Sequence, residues 1–265
     1  MTPGELALGP RPAAPRGKSP PWATLLTLAA ALAAWAAAAQ LSIANRALVA
    51  GPLDTLAAVQ RLGPPLLVDL LSTSWRAAAG LALGGLAGVP IGLAVAAAAR
   101  RAPVADGLLE AVRAVPPVAW LPVFLLGLGW GNWARVATVA TGVAFIMAAA
   151  VSTAARAPRT ARAEQLVLAG AKPLARLRWT EPWQSLPALL VGLRISASMA
   201  LVIATVAEMV AGATRGMGAR LVDAQVAQDT PAITAAIAAL GFAGWAAGRL
   251  LRAAERAARS LAGAP

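Results

Sequence analysis

The sequence contains no cysteine and no histidine. Without them there is no disulfide, no Cys or His metal site and no His-based catalytic triad. Charge is scarce as well. Only 13% of the 265 residues are charged, where a soluble domain carries about 25%. That deficit excludes an ordinary cytosolic enzyme, a disordered tail and a free nucleic-acid-binding domain. Acidic residues are the rarer sign, 11 against 23 basic, for a net charge of +12. Such a balance can signal nucleic acid. Here the basic residues fall in short clusters between long uncharged runs, which is the distribution of a membrane protein. What the chain has in quantity is apolar: 59% of residues are hydrophobic, with a mean hydropathy of +0.68. The spacing of the apolar runs predicts one membrane domain.

A helix crossing the hydrocarbon core needs about 20 residues. Six stretches approach that length: Ser19 to Asn45, Ala77 to Ala99, Val118 to Trp133, Val136 to Ala155, Pro187 to Ala211 and Pro231 to Gly248. In lipid each must be helical, because no water is present to satisfy its backbone. The expected fold is therefore all-α and integral to the membrane, a bundle of six transmembrane helices. The first span has a competing reading. Arg11, Arg16 and Lys18 precede an alanine-leucine run, the pattern of a signal peptide. The run is longer than a signal's apolar region of about 7–15 residues, and further spans follow.

Orientation follows the basic residues. With the N-terminus in the cytoplasm and six alternating spans, sixteen basic residues fall inside and six outside, with Arg194 within the fifth span. Both termini are thus expected inside. The outside six are Arg46, Arg61, Arg76, Arg135, Arg215 and Arg220. The connection from Arg46 to Arg76 reads as two short amphipathic helices at the outer surface.

Four glycines, Gly80, Gly84, Gly88 and Gly92, recur every fourth residue in the second span. They share one helix face, where another backbone can approach closely. Helix packing and a role in solute passage are both compatible with that face. Pro90 is expected to kink the same helix. Pro116, Pro117 and Pro122 break the start of the third span. Broken helices at membrane depth point either to a transport path or to a structural kink. Glu208 lies near the far end of the fifth span. A carboxylate at mid-membrane costs at least about 2.5 kcal/mol, so it should face the bundle interior or the outer interface. It either lines a pathway or serves as a cap or anchor. Arg194 lies about 21 Å away along the helix, too far to pair with it.

The connection after the fourth span, residues 162 to 196, holds the remaining signals. Glu164, Gln165 and Leu166 open a short amphipathic pattern that runs through Ala169 to Gly170, a residue suited to a tight turn. Ala171 follows, and Leu174 and Leu177 then alternate with Lys172, Arg176 and Arg178. Such a helix fits a groove on a partner protein, or lies on lipid headgroups.

Here the sequence resembles a known family. Glu164, Gly170, Pro187 and Gly192-Leu193-Arg194 match the cytoplasmic EAA loop of ABC importer permeases. The resemblance extends through "GLALGGLAGVPIGLAV" (80 to 95), "VRAVPPVAWLPVFLLGLGWGN" (112 to 132) and "VAEMV" (206 to 210), and covers roughly residues 66 to 250. Together these segments are similar to nitrate/sulfonate/taurine-type permeases. The loop departs from the family pattern at Gln165 and Leu166, where two alanines are usual, and at Trp179-Thr180-Glu181-Pro182.

The resemblance implies a permease dimer with two cytoplasmic ABC ATPase subunits, each receiving the loop helix near 164–179 in a cleft. It implies a periplasmic or lipid-anchored binding protein that delivers a small, anionic solute, and a place in the bacterial inner membrane. Residues 1–20 would be a cytoplasmic Pro-rich tail, 21–45 the first transmembrane helix, 66–250 the permease domain and 251–265 a cytoplasmic basic tail. Gly80, Gly84, Gly88 and Gly92 are assigned to helix packing, and Pro116, Pro117 and Glu208 to the candidate pathway. No catalytic residue, cofactor, metal or nucleic acid is expected. The nearest phosphate-loop decoy, "PAAPRGKS" at 12 to 19, has Pro12 where glycine is needed and no flanking strand. Two other classes compete: a secondary carrier, which usually wants paired intramembrane acids or an inverted repeat, and a membrane scaffold that moves nothing.

Overall fold

A computed structural model describes residues 21–41, 50–99, 102, 104–156, 168–170 and 181–261. Every regular element among these residues is helical. The chain divides into two units, Met1–Pro52 and Leu53–Pro265.

The first unit contains α1, Pro21–Leu41. Its apolar residues face all directions, with Leu25, Leu26, Leu28 and Leu32 all exposed. A helix apolar all round belongs in lipid or deep in protein. Within this unit the Trp35 indole donates to the Ala50 carbonyl at 3.1 Å.

The second unit opens with α2, Pro52–Ala99, broken only at Gly63, whose φ of 49° and ψ of −137° leave the helical region. Pro64 and Pro65 follow at once, in a first turn where a missing N–H costs nothing. Beyond them the helix runs to Ala99 without a further non-helical residue, through Pro90 included. The break in α2 therefore lies at Gly63, while the backbone at Pro90 keeps helical angles. The expected second surface helix (64 to 75) is also not separate, because it continues directly into the second span. Arg76 does not end that span, because the interior of the bundle supplies its charge with a partner.

Next come α3 (Val104–Ala114), a 3-10 turn (Pro117–Trp120) and α4 (Leu121–Leu128). The axis bends by 77° between α3 and the segment 117–128. The expected third span to Trp133 stops at Leu128, where Gly129 turns the chain with a φ of 77°. The long helices α5 (Asn132–Arg156) and α6 (Glu181–Ala211) then pack on each other. α6 closes with Gly212 at φ 61° and an Ala213 N–H to Glu208 carbonyl bond of 3.2 Å, a Schellman ending. The short helix α7 (Met217–Val226) leads to α8 (Thr230–Leu261). Asp229 caps α8 by accepting the Ala232 N–H at 3.1 Å.

Among the described residues four helices are long and apolar enough to cross a membrane: Pro52–Ala99, Asn132–Arg156, Leu189–Ala211 and Thr230–Arg256. The bent pair 104–114 and 117–128 makes a fifth if it crosses once, and α1 carries a shorter apolar stretch, Leu25–Gln40. The main core joins Val139, Val143 and Met147 of α5 to Ala200, Ile203 and Ala204 of α6 and Ala77 of α2. The i, i+4, i+8 spacing on α5 aligns its three residues on one face.

Candidate functional site

The buried residues of α2 form one stripe. Its upper part is Gly80, Gly84, Gly88 and Gly92, all buried. A Cβ on Gly80 would collide with Val139, on Gly84 with the Ala140 carbonyl, on Gly88 with the Ala144 carbonyl and on Gly92 with the Ala148 carbonyl. The α2 backbone therefore lies directly against α5, with no α2 side chain between them. By contrast, nothing lies within 4 Å of a Cβ built on Gly85.

Followed toward the N-terminus, the same stripe becomes polar: Arg76, Thr73 and Asp69, spaced so that they share the face. The Arg76 guanidinium donates through Nη1 to Glu208 Oε1 at 2.5 Å and to the Arg215 carbonyl at 2.9 Å, and through Nε to Asn132 Oδ1 at 3.0 Å. Glu208 Oε2 accepts from the Thr73 hydroxyl at 2.8 Å and from the Gly218 N–H at 2.9 Å. The Thr73 oxygen in turn accepts the Met217 N–H at 2.8 Å. Asp69 accepts the Gly216 N–H at 3.1 Å and the Arg220 Nε at 2.6 Å.

Three consecutive N–H groups, at residues 216 to 218, thus reach three side chains of α2 and α6. They are the donors that the start of α7 would otherwise leave unpaired. Gly216, with a φ of 137°, and Gly218 are required here, because the Glu208 carboxylate fills the space beside Gly216 and the Thr205 carbonyl that beside Gly218. Glu208 is fully buried and Arg76 nearly so. In a low-dielectric interior such a pair persists only with its remaining donors and acceptors satisfied, as they are for this carboxylate.

Arg135 is the second buried arginine at this end. It reaches carbonyls only: Gly131 at 3.2 Å and Ala211 and Gly212 at 3.4 Å each, while its Nε has no partner. The last two carbonyls close α6, where the helix dipole favours a cation. A cavity of about 690 Å³ lies alongside, lined by Pro64, Pro65, Asp69, Arg215, Arg220 and Asp223 among others. The arrangement does no covalent chemistry. It fastens α2, α5, α6 and α7 together at one end of the bundle.

At the opposite end α5 stops at Arg156, which pairs with Asp106 of α3. Both side chains are partly exposed. Between Arg156 and Glu181 only 168 to 170 are described. Leu168, Ala169 and Gly170 are exposed, and Gly170 has a φ of 71°, the left-handed turn geometry that glycine favours. Glu164, Gln165, Leu166, Ala171, Leu174 and Leu177 lie outside the described residues. Of the candidate pathway residues, Pro116 is extended at ψ 129° and Pro117 opens the 3-10 turn. The Pro117 ring lies 2.8 Å from where a Cβ on Gly142 would stand, so it rests against α5.

Asp69, Thr73, Arg76 and Arg135 were not singled out by sequence reasoning, which left the two arginines in outside connections. The signal was present: stepping back from Gly80 by threes and fours reaches Arg76, Thr73 and Asp69.

Comparison with known proteins bears on the whole unit. A probable ABC transporter permease of Brucella melitensis biotype 1 is 27% identical over 237 residues, covering 88% of this chain and 94% of its own length. The taurine transport system permease protein TauC of Escherichia coli K12 is 25% identical over 237 residues, covering 87% and 86%. The fold is similar to that of a chain of the MetNI methionine ABC transporter solved in inward-facing conformations. That match has a TM-score of 0.55 at 18% identity, over 71% of this chain and 96% of that one. Residues 88–257 match the family described as binding-protein-dependent transport system inner membrane component. This chain belongs to that family, the permease subunits of type I ABC importers.

Proposed function

We propose that the chain forms the translocation pathway of an ATP-driven importer for a small anionic solute of the sulfonate, taurine or nitrate class. It works as a homodimer on two cytoplasmic ATPase subunits, with both termini in the cytoplasm and α1 as the sixth span. Solute arrives from a periplasmic or lipid-anchored binding protein. The family's members are transport subunits, and the ATPase is a separate chain.

One observation carries the mechanical part of this reading. The segment between Arg156 and Glu181 joins the ends of α5 and α6, two long helices packed on each other, at the end remote from the buried Arg76–Glu208 pair. Force applied near Gly170 enters both helices together and acts against a fixed far end. The loop residues Glu164, Gln165, Leu166, Ala169, Gly170, Ala171, Leu174 and Leu177 are the proposed ATPase contact. Pro116 and Pro117, at the 77° bend, remain the proposed pathway elements. Glu208 is proposed to reach the pathway only if its ion pair opens. The TauC similarity supports the anionic solute class.

The test is uptake into proteoliposomes holding the chain, its ATPase subunits and its binding protein, with labelled taurine and nitrate as probes. ATP-dependent uptake of either solute, nitrate or the sulfonate-bearing taurine, is expected. Uptake that continues with an inactive ATPase would overturn the ATP-driven reading. ATP-dependent uptake of a cation alone would overturn the anionic one.

A further inference from the structure

On α8 the residues Phe242, Trp245, Arg249, Arg252 and Arg256 are spaced by three and four in alternation, so they share one helix face. All five are exposed. Nearer the start of α8 the helix is committed to the protein: Ala232, Ala235 and Ala236 are buried, and Ala236, on the side away from the stripe, packs with Leu66 and Met217. The stripe changes character along its length. Phe242 and Trp245 lie with ring centroids 5.8 Å apart, and the Arg249 guanidinium sits 5.4 Å from the Trp245 ring centre. Arg252 folds back by one turn, with Nη1 3.6 Å from the position of a Cβ on Gly248. None of the three arginines meets a carboxylate among the described residues.

Depth follows from length. The apolar stretch Pro231 to Gly248 spans about 27 Å at 1.5 Å per residue, close to the hydrocarbon thickness of about 30 Å. Arg249 therefore emerges at the level of the lipid phosphates, and Arg252 about 4.5 Å beyond. The aromatic pair lies just below, at the depth where tryptophan is enriched. Helical side chains lean toward the N-terminus. On α8 that direction returns the first two guanidiniums to the bilayer surface instead of into water. A planar guanidinium offers paired donors to a phosphate.

We propose that this face of α8 binds the headgroup of an anionic phospholipid. The phosphate sits between Arg249 and Arg252, Arg256 adds long-range attraction, and Phe242 and Trp245 pack against the glycerol and upper acyl chain. The partner is chosen by charge complementarity: Arg249 and Arg252, without a carboxylate partner among the described residues, stand at and just beyond phosphate depth above an aromatic pair, with Arg256 farther out.

The test is native mass spectrometry of the purified importer complex with phosphatidylglycerol and phosphatidylcholine of matched acyl chains. Phosphatidylglycerol is expected to stay bound at activation energies that strip phosphatidylcholine. Each of Arg249→Gln, Arg252→Gln and Arg256→Gln should weaken that retention about fivefold, by the usual juxtamembrane worth of one basic residue. Arg11→Gln, Arg16→Gln and Arg113→Gln together remove the same charge elsewhere and should leave it intact. Equal retention of both lipids, or equal loss in the control triple variant, would overturn the proposal. So would full retention in the α8 triple variant. A thermal transition measured in parallel shows that each variant is folded, and inorganic phosphate should not compete at millimolar concentration. Solute uptake plays no part in this readout, so its failure and that of the transport reading are separable.

Discussion

Arg76 of α2 and Glu208 of α6, 132 positions apart in the chain, form a buried ion pair at 2.5 Å. Around it Thr73 and Gly218 donate to the carboxylate, while Asn132 and the Arg215 carbonyl accept from the guanidinium. The pair holds two long helices at one end of the bundle and orders the start of α7.

Removing one partner should therefore cost more than removing both. Glu208→Ala leaves Arg76 buried without its carboxylate, and should destabilise the protein by about 3–5 kcal/mol. The double variant Arg76→Met/Glu208→Met should recover most of that loss. Thermal unfolding in detergent of the two single variants and the double variant checks this. A double variant no more stable than Glu208→Ala would contradict it.

The glycine stripe makes a positional prediction. Gly84→Leu or Gly88→Leu drives a side chain into the α5 backbone and should cost at least about 1–3 kcal/mol, as overpacking does. Gly85→Leu, one residue away with open space around it, should stay within about 0.5 kcal/mol of the parent. Equal melting temperatures for Gly84→Leu and Gly85→Leu would contradict the packing assignment.

Gly170 tests the proposed coupling loop. Its φ of 71° costs an ordinary L-residue about 1–2 kcal/mol, and a β-branched one more. Gly170→Val should let ATP hydrolysis continue while uptake falls, with the protein still inserted in the membrane. Gly170→Asn, which tolerates this backbone region, should retain coupling. Parallel measurement of hydrolysis and uptake on both variants checks it, and identical coupling in the two would count against the loop.

Topology is open to direct labelling, because the chain has no cysteine to remove. Ala169→Cys should react with a membrane-impermeant maleimide only when the inner face is exposed. Asp223→Cys, an exposed position beside the cavity at the other end, should react from outside. The reverse pattern would invert the proposed orientation.

How much of this was legible beforehand depends on the range of each interaction. The glycine face was readable because a period of four is written in consecutive residues. The turn at Gly170 was readable because left-handed backbone favours one residue type. The Arg76–Glu208 pair was not, because its members are far apart in the chain and an arginine beside an apolar run looks like the end of a span. The same habit misplaced Arg135, which is buried within α5 on the carbonyls that end α6. The break at Gly63 was hidden by the two prolines after it, which begin a helix as readily as they interrupt one.

The seam between α2 and α5 has one more consequence. Across the four glycines the α2 backbone meets α5 carbonyls, Cβ atoms and the short Val139 and Val143 branches, with no long flexible tips to re-sort, so the two helices should swing as a single plank. The α5–α6 seam differs, since Gly142 meets the end of Ile203, and the Met147 sulfur lies 3.5 Å from the Cβ position of Gly192. Those soft ends can repack, so the α5–α6 seam can adjust in small steps where the α2–α5 seam cannot.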